Sequence, residues 1–296
     1  MPIRPYTPQE VWGGLIGAYF VLNALGTGSY ISTFYSQLYL RDKQSLLVKI
    51  GAIASPCLLI LAMIFLMLDL GLPEHAMNVF LRPLTSVTSL GATLLLATVT
   101  ITGIQALGFL FKSHKLAYNQ VLWLLGFILT VMVAWYPGAL LWEKAGIPFW
   151  NTPLMPFLFL FTAICAGAGL LMCVYAVLPS HRRTDAELTF ISRCSKLAWG
   201  SLLLSLILLL GHLGVAAVGP SPTARFSVTY LTTGPFGAAF LVVGLLMGLV
   251  IPLILIYSFI LRQKAPPHRW AGVTGLLVIV GISFLRYMLL AAGCFG

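Results

Sequence analysis

Residues 46–68 read LLVKIGAIASPCLLILAMIFLML, twenty-three residues with a single charge, Lys49, near the start. A segment of this length and polarity is too long for an ordinary buried helix and matches the thickness of a bilayer's hydrocarbon core, which takes about 20 apolar residues as helix. Seven further stretches read the same way: 12–38, 87–111, 117–142, 154–178, 195–218, 234–261 and 270–293. Ordinary stop signals separate them: Arg41-Asp42-Lys43, Gly71-Leu72-Pro73-Glu74, Lys112-Ser113-His114-Lys115, Pro179 to Arg183, Pro220-Ser221-Pro222 and Pro266-Pro267. Hydrophobic residues make up 59% of the 296 and charged residues 8%, too little polar surface for a water-soluble fold. Lipid offers no hydrogen bonds to the backbone, and the alternating polarity of a barrel is absent, so the spans must be helices. The reading is an all-α membrane protein of eight transmembrane helices, residues 1–296 forming one integral membrane domain. The first span is too long for a signal peptide and lacks a small-residue cleavage site.

An even number of spans puts both termini on one side. The terminal side holds Arg4, Arg82, Lys144 and Arg225, 4 basic residues. The opposite side holds 12: Arg41, Lys43, Lys49, Lys112, Lys115, Arg182, Arg183, Arg193, Lys196, Arg262, Lys264 and Arg269. The positive-inside rule then places both termini outside the cytoplasm. The net charge of +10 is mostly this bias, spread over short loops beside the membrane, and does not point to nucleic acid.

The chemistry inventory excludes several classes. Cys57, Cys165, Cys173, Cys194 and Cys294 form no C-x-x-C pair and mostly lie in apolar sequence, where packing is their ordinary role. An iron–sulfur cluster held by this chain is not expected. Of five histidines only His212 lies well inside a span, so a haem held by two histidines is not expected either. His212 reads as a buried hydrogen-bonding residue or as a proton relay. There is no Walker A loop, H-E-x-x-H or nucleophile elbow.

The remaining polar groups gather at one depth. Tyr19 lies in the outer half of the first span, Asp69 ends the second on the outer side, Tyr136 lies near the outer end of the fourth, and Arg286-Tyr287 lies toward the outer end of the eighth. Pro148 to Pro153, with Trp150 and Asn151, leads into the fifth from the same side. Each alone fits an interfacial belt. Together they fit an outer-leaflet pocket for a neutral ring with carbonyls, such as a quinone, with a tyrosine hydroxyl for hydrogen bonding and a carboxylate for proton exchange. Tyr19, Asn23, Thr27 and Tyr30 share one face of the first span. That face serves either as interhelical hydrogen-bonding glue or as the start of a proton route from Asp69 inward through Asn23, Thr27, Tyr30 and Gln105, with His212 a further station.

Several strings then stand together: Leu68-Asp69-Leu70-Gly71 with Pro73, Trp135-Tyr136-Pro137-Gly138, Pro148-Phe149-Trp150-Asn151-Thr152-Pro153-Leu154-Met155-Pro156, Phe284-Leu285-Arg286-Tyr287 and Ala292-Gly293, after a glycine-rich first span from Trp12 to Gly28. In order and spacing the chain resembles the NrfD/PsrC family, the quinone-interacting membrane subunits of polysulfide-reductase-type respiratory complexes of the bacterial cytoplasmic membrane. The resemblance implies two four-helix bundles and a site for menaquinone or ubiquinone near the face that docks an iron–sulfur subunit. It implies no redox cofactor in the membrane chain. The family's quinone-contacting tyrosine falls on Tyr136, its polar residue of the first span on Tyr19, and its acid after the second span on Asp69; Asn23 adjoins them. Position 72 is Leu where the family's D-L-G-R-P version has Arg. The implied partners are a four-cluster ferredoxin-like subunit, facing Glu74, Arg82, Trp150 and Asn151, and a catalytic subunit such as a molybdopterin enzyme or a multihaem cytochrome. Alone, such a chain is half of an active site. The rival classes are a secondary transporter, which needs inverted repeats and broken helices at the midplane, and a purely structural anchor.

Overall fold

The computed structural model describes residues 13–40, 45–69, 87–261 and 267–294. Eight helices in it are long and apolar enough to cross a membrane. They are α1 (Gly14–Gln37), α2 (Leu46–Asp69), α3 (Val87–Leu110), α4 (Gln120–Trp142), α5 (Leu154–Val177), α6 (Asp185–Val218), α7 (Gly237–Ser258) and α8 (His268–Ala291).

The centre is set by two helices. In α1 and α5 the apolar window is 67% buried, against 33% in α2, α6 and α7. These two approach at glycine: a β-carbon on Gly28 would lie 2.6 Å from the carbonyl carbon of Ala163 and 2.9 Å from the nitrogen of Gly167. Small residues at such a crossing let backbones touch where no hydrophobic force between helices exists. Around this axis α1 packs on α2 and α4, and α3 packs on both α2 and α4. On the other side α5 packs on α6 and α8, and α8 on α7. Side chains such as Leu61, Ile64, Leu124, Ile207, Ile254 and Leu276 point outward, as lipid contact requires.

Two elements differ from the sequence expectation. α6 begins at Asp185, ten residues before the expected 195, and runs 34 residues, about 51 Å at 1.5 Å per residue. Its first turns are polar and stand beyond the apolar length. Their start is fixed by Glu187, whose carboxylate takes the Thr184 hydroxyl and the Leu46 backbone N–H, the latter at 2.8 Å. The Pro220-Ser221-Pro222 break also leads into a helix, Pro222–Thr233, with Pro at its first turn and Ser221 Oγ accepting from Ala224 N at 3.4 Å. It is too short and too polar to register as a span.

In α7, wide π-type turns cover Phe240–Val250 and resume at Ile256, with Pro252 in the α-helical piece between them. Proline lacks the N–H that the ladder needs. The widened helix rests on α8 where a β-carbon on Gly248 would lie 2.8 Å from the carbonyl carbon of Gly281.

Candidate functional site

The C-terminal end of α4 is shaped by Pro137-Gly138. Gly138 lets it press on the start of α5: a β-carbon there would lie 2.5 Å from Met155 O and from Pro156 Cα. The turn that follows is tied back. Asn151 Nδ2 donates to Trp142 O at 2.5 Å, and Trp150 Nε1 donates to Leu289 O at 2.9 Å.

This clamp aims Tyr136 toward α3. Its ring lies on Gly91, where a β-carbon would overlap it, and its hydroxyl is near the Thr88 side chain. Outside the tyrosine is a cavity of about 470 Å³ lined by Val87, Leu90, Trp135, Tyr136, Ala139, Trp142, Glu143 and Asn151. The volume is in the usual range for a small-molecule site, with apolar walls and few polar groups. Tyr136 is 5% exposed at its wall. Glu143, exposed at the C-terminal end of α4, is its carboxylate.

Behind Tyr136, on α1, lies Tyr19, 1% exposed and in electrostatic reach of both Tyr136 and Arg286. Asn23 Nδ2 donates to the Tyr19 hydroxyl at 3.3 Å, leaving Asn23 Oδ1 without a partner among the described residues. Arg286, 1% exposed, holds no carboxylate among the described residues. Its Nη1 donates to Phe20 O at 2.9 Å, Nε and Nη2 donate to Thr162 Oγ1 at 3.1 and 2.9 Å, and Nη2 also reaches Phe159 O. Its guanidinium lies 4.7 Å from the centre of the Phe159 ring. One side chain of α8 thus ties α1 to α5 directly beneath Tyr19.

The other expected residues fall in separate places. Asp69, the last residue of α2, is half-buried and makes no hydrogen bond or ion pair among the described residues. It does not line the Tyr136 cavity. Thr27 Oγ1 bonds the Asn23 carbonyl of its own helix at 2.6 Å. Tyr30 donates to Gln105 Oε1, and its hydroxyl lies 3.4 Å from Leu122 O. His212 Nδ1 and Thr152 Oγ1 are 3.0 Å apart, beneath Phe149, and no described hydrogen bond joins His212 to the α1 stripe. Trp150, expected to face a partner, is 2% exposed with its indole in the core, while Asn151 is exposed. Glu74 and Arg82 lie outside the described residues.

Sequence reasoning did not include Glu143, Thr88 or Trp142 in the site. Glu143 lies about two helical turns beyond Tyr136, but an acid at a helix end reads first as a stop signal. Among the described residues no group of three His, Cys, Asp or Glu side chains is placed to hold a metal ion.

The family model described as "Polysulphide reductase, NrfD" matches residues 5–295. The C subunit of the polysulfide reductase of Wolinella succinogenes is 28% identical over 309 residues, covering 96% of this chain and 94% of that protein. Protein NrfD of Escherichia coli is 26% identical over 317 residues, covering 96% and 95%. A family match over nearly the whole length, on eight membrane-spanning helices, makes this chain a member of the NrfD polysulfide reductase family.

Proposed function

We propose that this chain is the quinone-site subunit of a respiratory oxidoreductase of the bacterial cytoplasmic membrane. It exchanges electrons between the quinone pool and an iron–sulfur subunit of the four-cluster ferredoxin type. That subunit docks on the face carrying Asn151, Glu143 and the loops after α2, α4 and α6. A catalytic subunit, a molybdopterin enzyme or a multihaem cytochrome, completes the complex. The observation that carries the reading is Tyr136 at the wall of an apolar cavity whose carboxylate is Glu143. The family membership supports it.

The quinone is a substrate here, menaquinone or ubiquinone. Its reduction takes two electrons from the partner's nearest cluster and two protons; quinol oxidation is the same exchange reversed. The chain's own groups would do three things. Val87, Leu90, Trp135 and Trp142 bind the ring and the first isoprene carbons without hydrogen bonds. The Tyr136 hydroxyl orients a carbonyl and holds a proton beside it. Glu143, at the exposed end of α4, passes protons to and from water. Tyr19 and Asn23 buttress Tyr136, with Arg286 a fixed positive charge behind them. The two four-helix bundles of the family are supported by the packing of α1–α4 on one side and α5–α8 on the other.

The test is photolabelling of the purified complex with an azido-quinone. Labelled peptides from 87–91 and 135–143, competed away by native quinone, are expected. Labelling confined to α6–α8 would overturn the assignment.

A further inference from the structure

A second cavity, of about 370 Å³, opens at the opposite, basic end of the molecule, between the start of α2 and the turn joining α3 to α4. The quinone reading leaves it without a role, and nothing in that reading is needed to interpret it. Its walls are Leu46, Phe109, Ala117 and Tyr118 on one hand and Ser45, Lys49, Lys112 and His114 on the other.

Four observations give this cavity a polarity. Lys49 and Lys112 both line it, and neither pairs with a carboxylate among the described residues. The nearest buried acid of α6, Glu187, is already occupied by the Thr184 hydroxyl and the Leu46 N–H. Lys112 holds a left-handed backbone, φ 54°, which a non-glycine residue adopts only under constraint; Ser113 N bonding Gly108 O at 2.8 Å fixes that turn. The same bond covers a carbonyl at the C-terminal end of α3 that would otherwise repel an anion. Finally, Ser45 is 2% exposed, lines the cavity, and its Oγ has no hydrogen-bond partner among the described residues. A buried hydroxyl left unpaired costs stability unless something absent from the protein meets it.

Two ammonium groups and a hydroxyl, each unpaired among the described residues, together with a histidine, describe a receptor for a phosphate group. The apolar half of the lining and the position at the helix ends describe where acyl chains would lie. We infer that this cavity binds the phosphate of an anionic phospholipid, with Lys49 and Lys112 on its oxygens, Ser45 Oγ donating to it, and the first acyl carbons along Leu46 and Phe109. Lys49 sits one turn into α2, where its stem can run along apolar surface while the ammonium reaches headgroup depth. Basic pockets between membrane helices on the cytoplasmic side hold such headgroups by the same forces.

The probe is phosphatidylglycerol in nanodiscs of phosphatidylcholine, with native mass spectrometry reading the lipid that stays with the purified chain. Wild type should retain phosphatidylglycerol over phosphatidylcholine. Lys49→Gln and Lys112→Gln should each lower that preference about five-fold, and Ser45→Ala roughly ten-fold. Lys115→Gln, on the same turn but outside the lining, should leave it unchanged. Equal melting temperatures of all variants in pure phosphatidylcholine separate lost binding from lost folding. Retention that survives the double lysine variant, or falls equally with Lys115→Gln, would overturn the site. Inorganic phosphate alone raising the wild-type melting temperature as much as phosphatidylglycerol would also overturn it, by showing a soluble anion to be the ligand.

Discussion

The ring of Tyr136 rests on Gly91, at a spot where a β-carbon would overlap its aromatic carbons. The glycine is thus half of the tyrosine's position: α4 supplies the side chain and α3 supplies the absence of one. Gly91→Ala must push the ring outward, into the cavity. Overpacking of this kind costs about 1–3 kcal/mol, and the displaced hydroxyl should raise KM for quinone several-fold. Gly103→Ala is the control on the same helix, since a β-carbon there meets nothing within 4 Å. It should be neutral or stabilising by about 0.5–1 kcal/mol. Melting temperature and quinone turnover of the two variants check this. Equal behaviour would show that the ring has room to spare.

Tyr136→Phe keeps the ring against Gly91 and removes only the hydroxyl. A lost hydrogen bond to a quinone carbonyl is worth about 0.5–1.5 kcal/mol, roughly a two- to thirteen-fold effect. A hydroxyl that also moves a proton in the rate-limiting step would bring the loss to about a hundred-fold or more. The variant should still assemble with its partner and still let dyes reduce the partner's clusters. Wild-type rates with quinone would remove Tyr136 from the site.

Two acids compete for the proton-exchanging role. Glu143 lines the cavity with Tyr136; Asp69 does not. Glu143→Gln should slow quinone turnover by about a hundred-fold at neutral pH, with the fold intact, because the residue is exposed. Asp69→Asn should have the smaller effect. Steady-state rates across pH with a water-soluble quinone settle the order. The reverse ranking would return the proton route to the end of α2.

The eight spans were legible because bilayer thickness imposes one length and one polarity on every crossing helix. The same rule hid what it does not govern. The polar first turns of α6 and the helix Pro222–Thr233 form without apolar runs, the first held by Glu187 through the Thr184 hydroxyl and the Leu46 N–H, the second capped by Ser221. Depth was legible for Tyr19 and Tyr136, since each side chain's height follows from its place in a helix. Lateral neighbours were not: His212 and Gln105 both read as intramembrane polar groups, yet one meets Thr152 and the other Tyr30. Trp150 shows the limit most clearly. A tryptophan before a helix at the membrane surface reads as interfacial, and only the folded chain brings Leu289 O to its indole N–H and Gly293 beneath its ring.

Arg286 should be the most expensive polar side chain to change. It donates to Phe20 O on α1 and to Thr162 Oγ1 and Phe159 O on α5, so three helices meet through one planar group. A lysine ammonium cannot span those acceptors from one point. Arg286→Lys should therefore lose about 1.5–3 kcal/mol or more, and Arg286→Met should not be milder despite its apolar surroundings, because it removes the same charged donors. Thermal unfolding in detergent reads both. A lysine variant as stable as wild type would show that charge alone, and not the fork geometry, holds the helices together.

Both termini should lie outside the cytoplasm. The argument is the distribution of Lys and Arg: 12 on the loops between α1 and α2, α3 and α4, α5 and α6, α7 and α8 or on the helix turns beside them, against 4 on the terminal side. Orientation follows such residues near span ends, and the bias holds across all four loops on the basic side rather than at one. The Tyr136 cavity shares the side of the termini, because α4 ends there. A C-terminal alkaline phosphatase fusion should be active, and a C-terminal green fluorescent fusion, which does not mature after export by this route, should be dark. The same fusions placed after Lys115, truncating the protein within the α3–α4 turn, should reverse. A bright C-terminal fusion would invert the molecule, moving the iron–sulfur partner and the tyrosine cavity to the cytoplasmic side and the Lys49–Lys112 cavity to the outer leaflet.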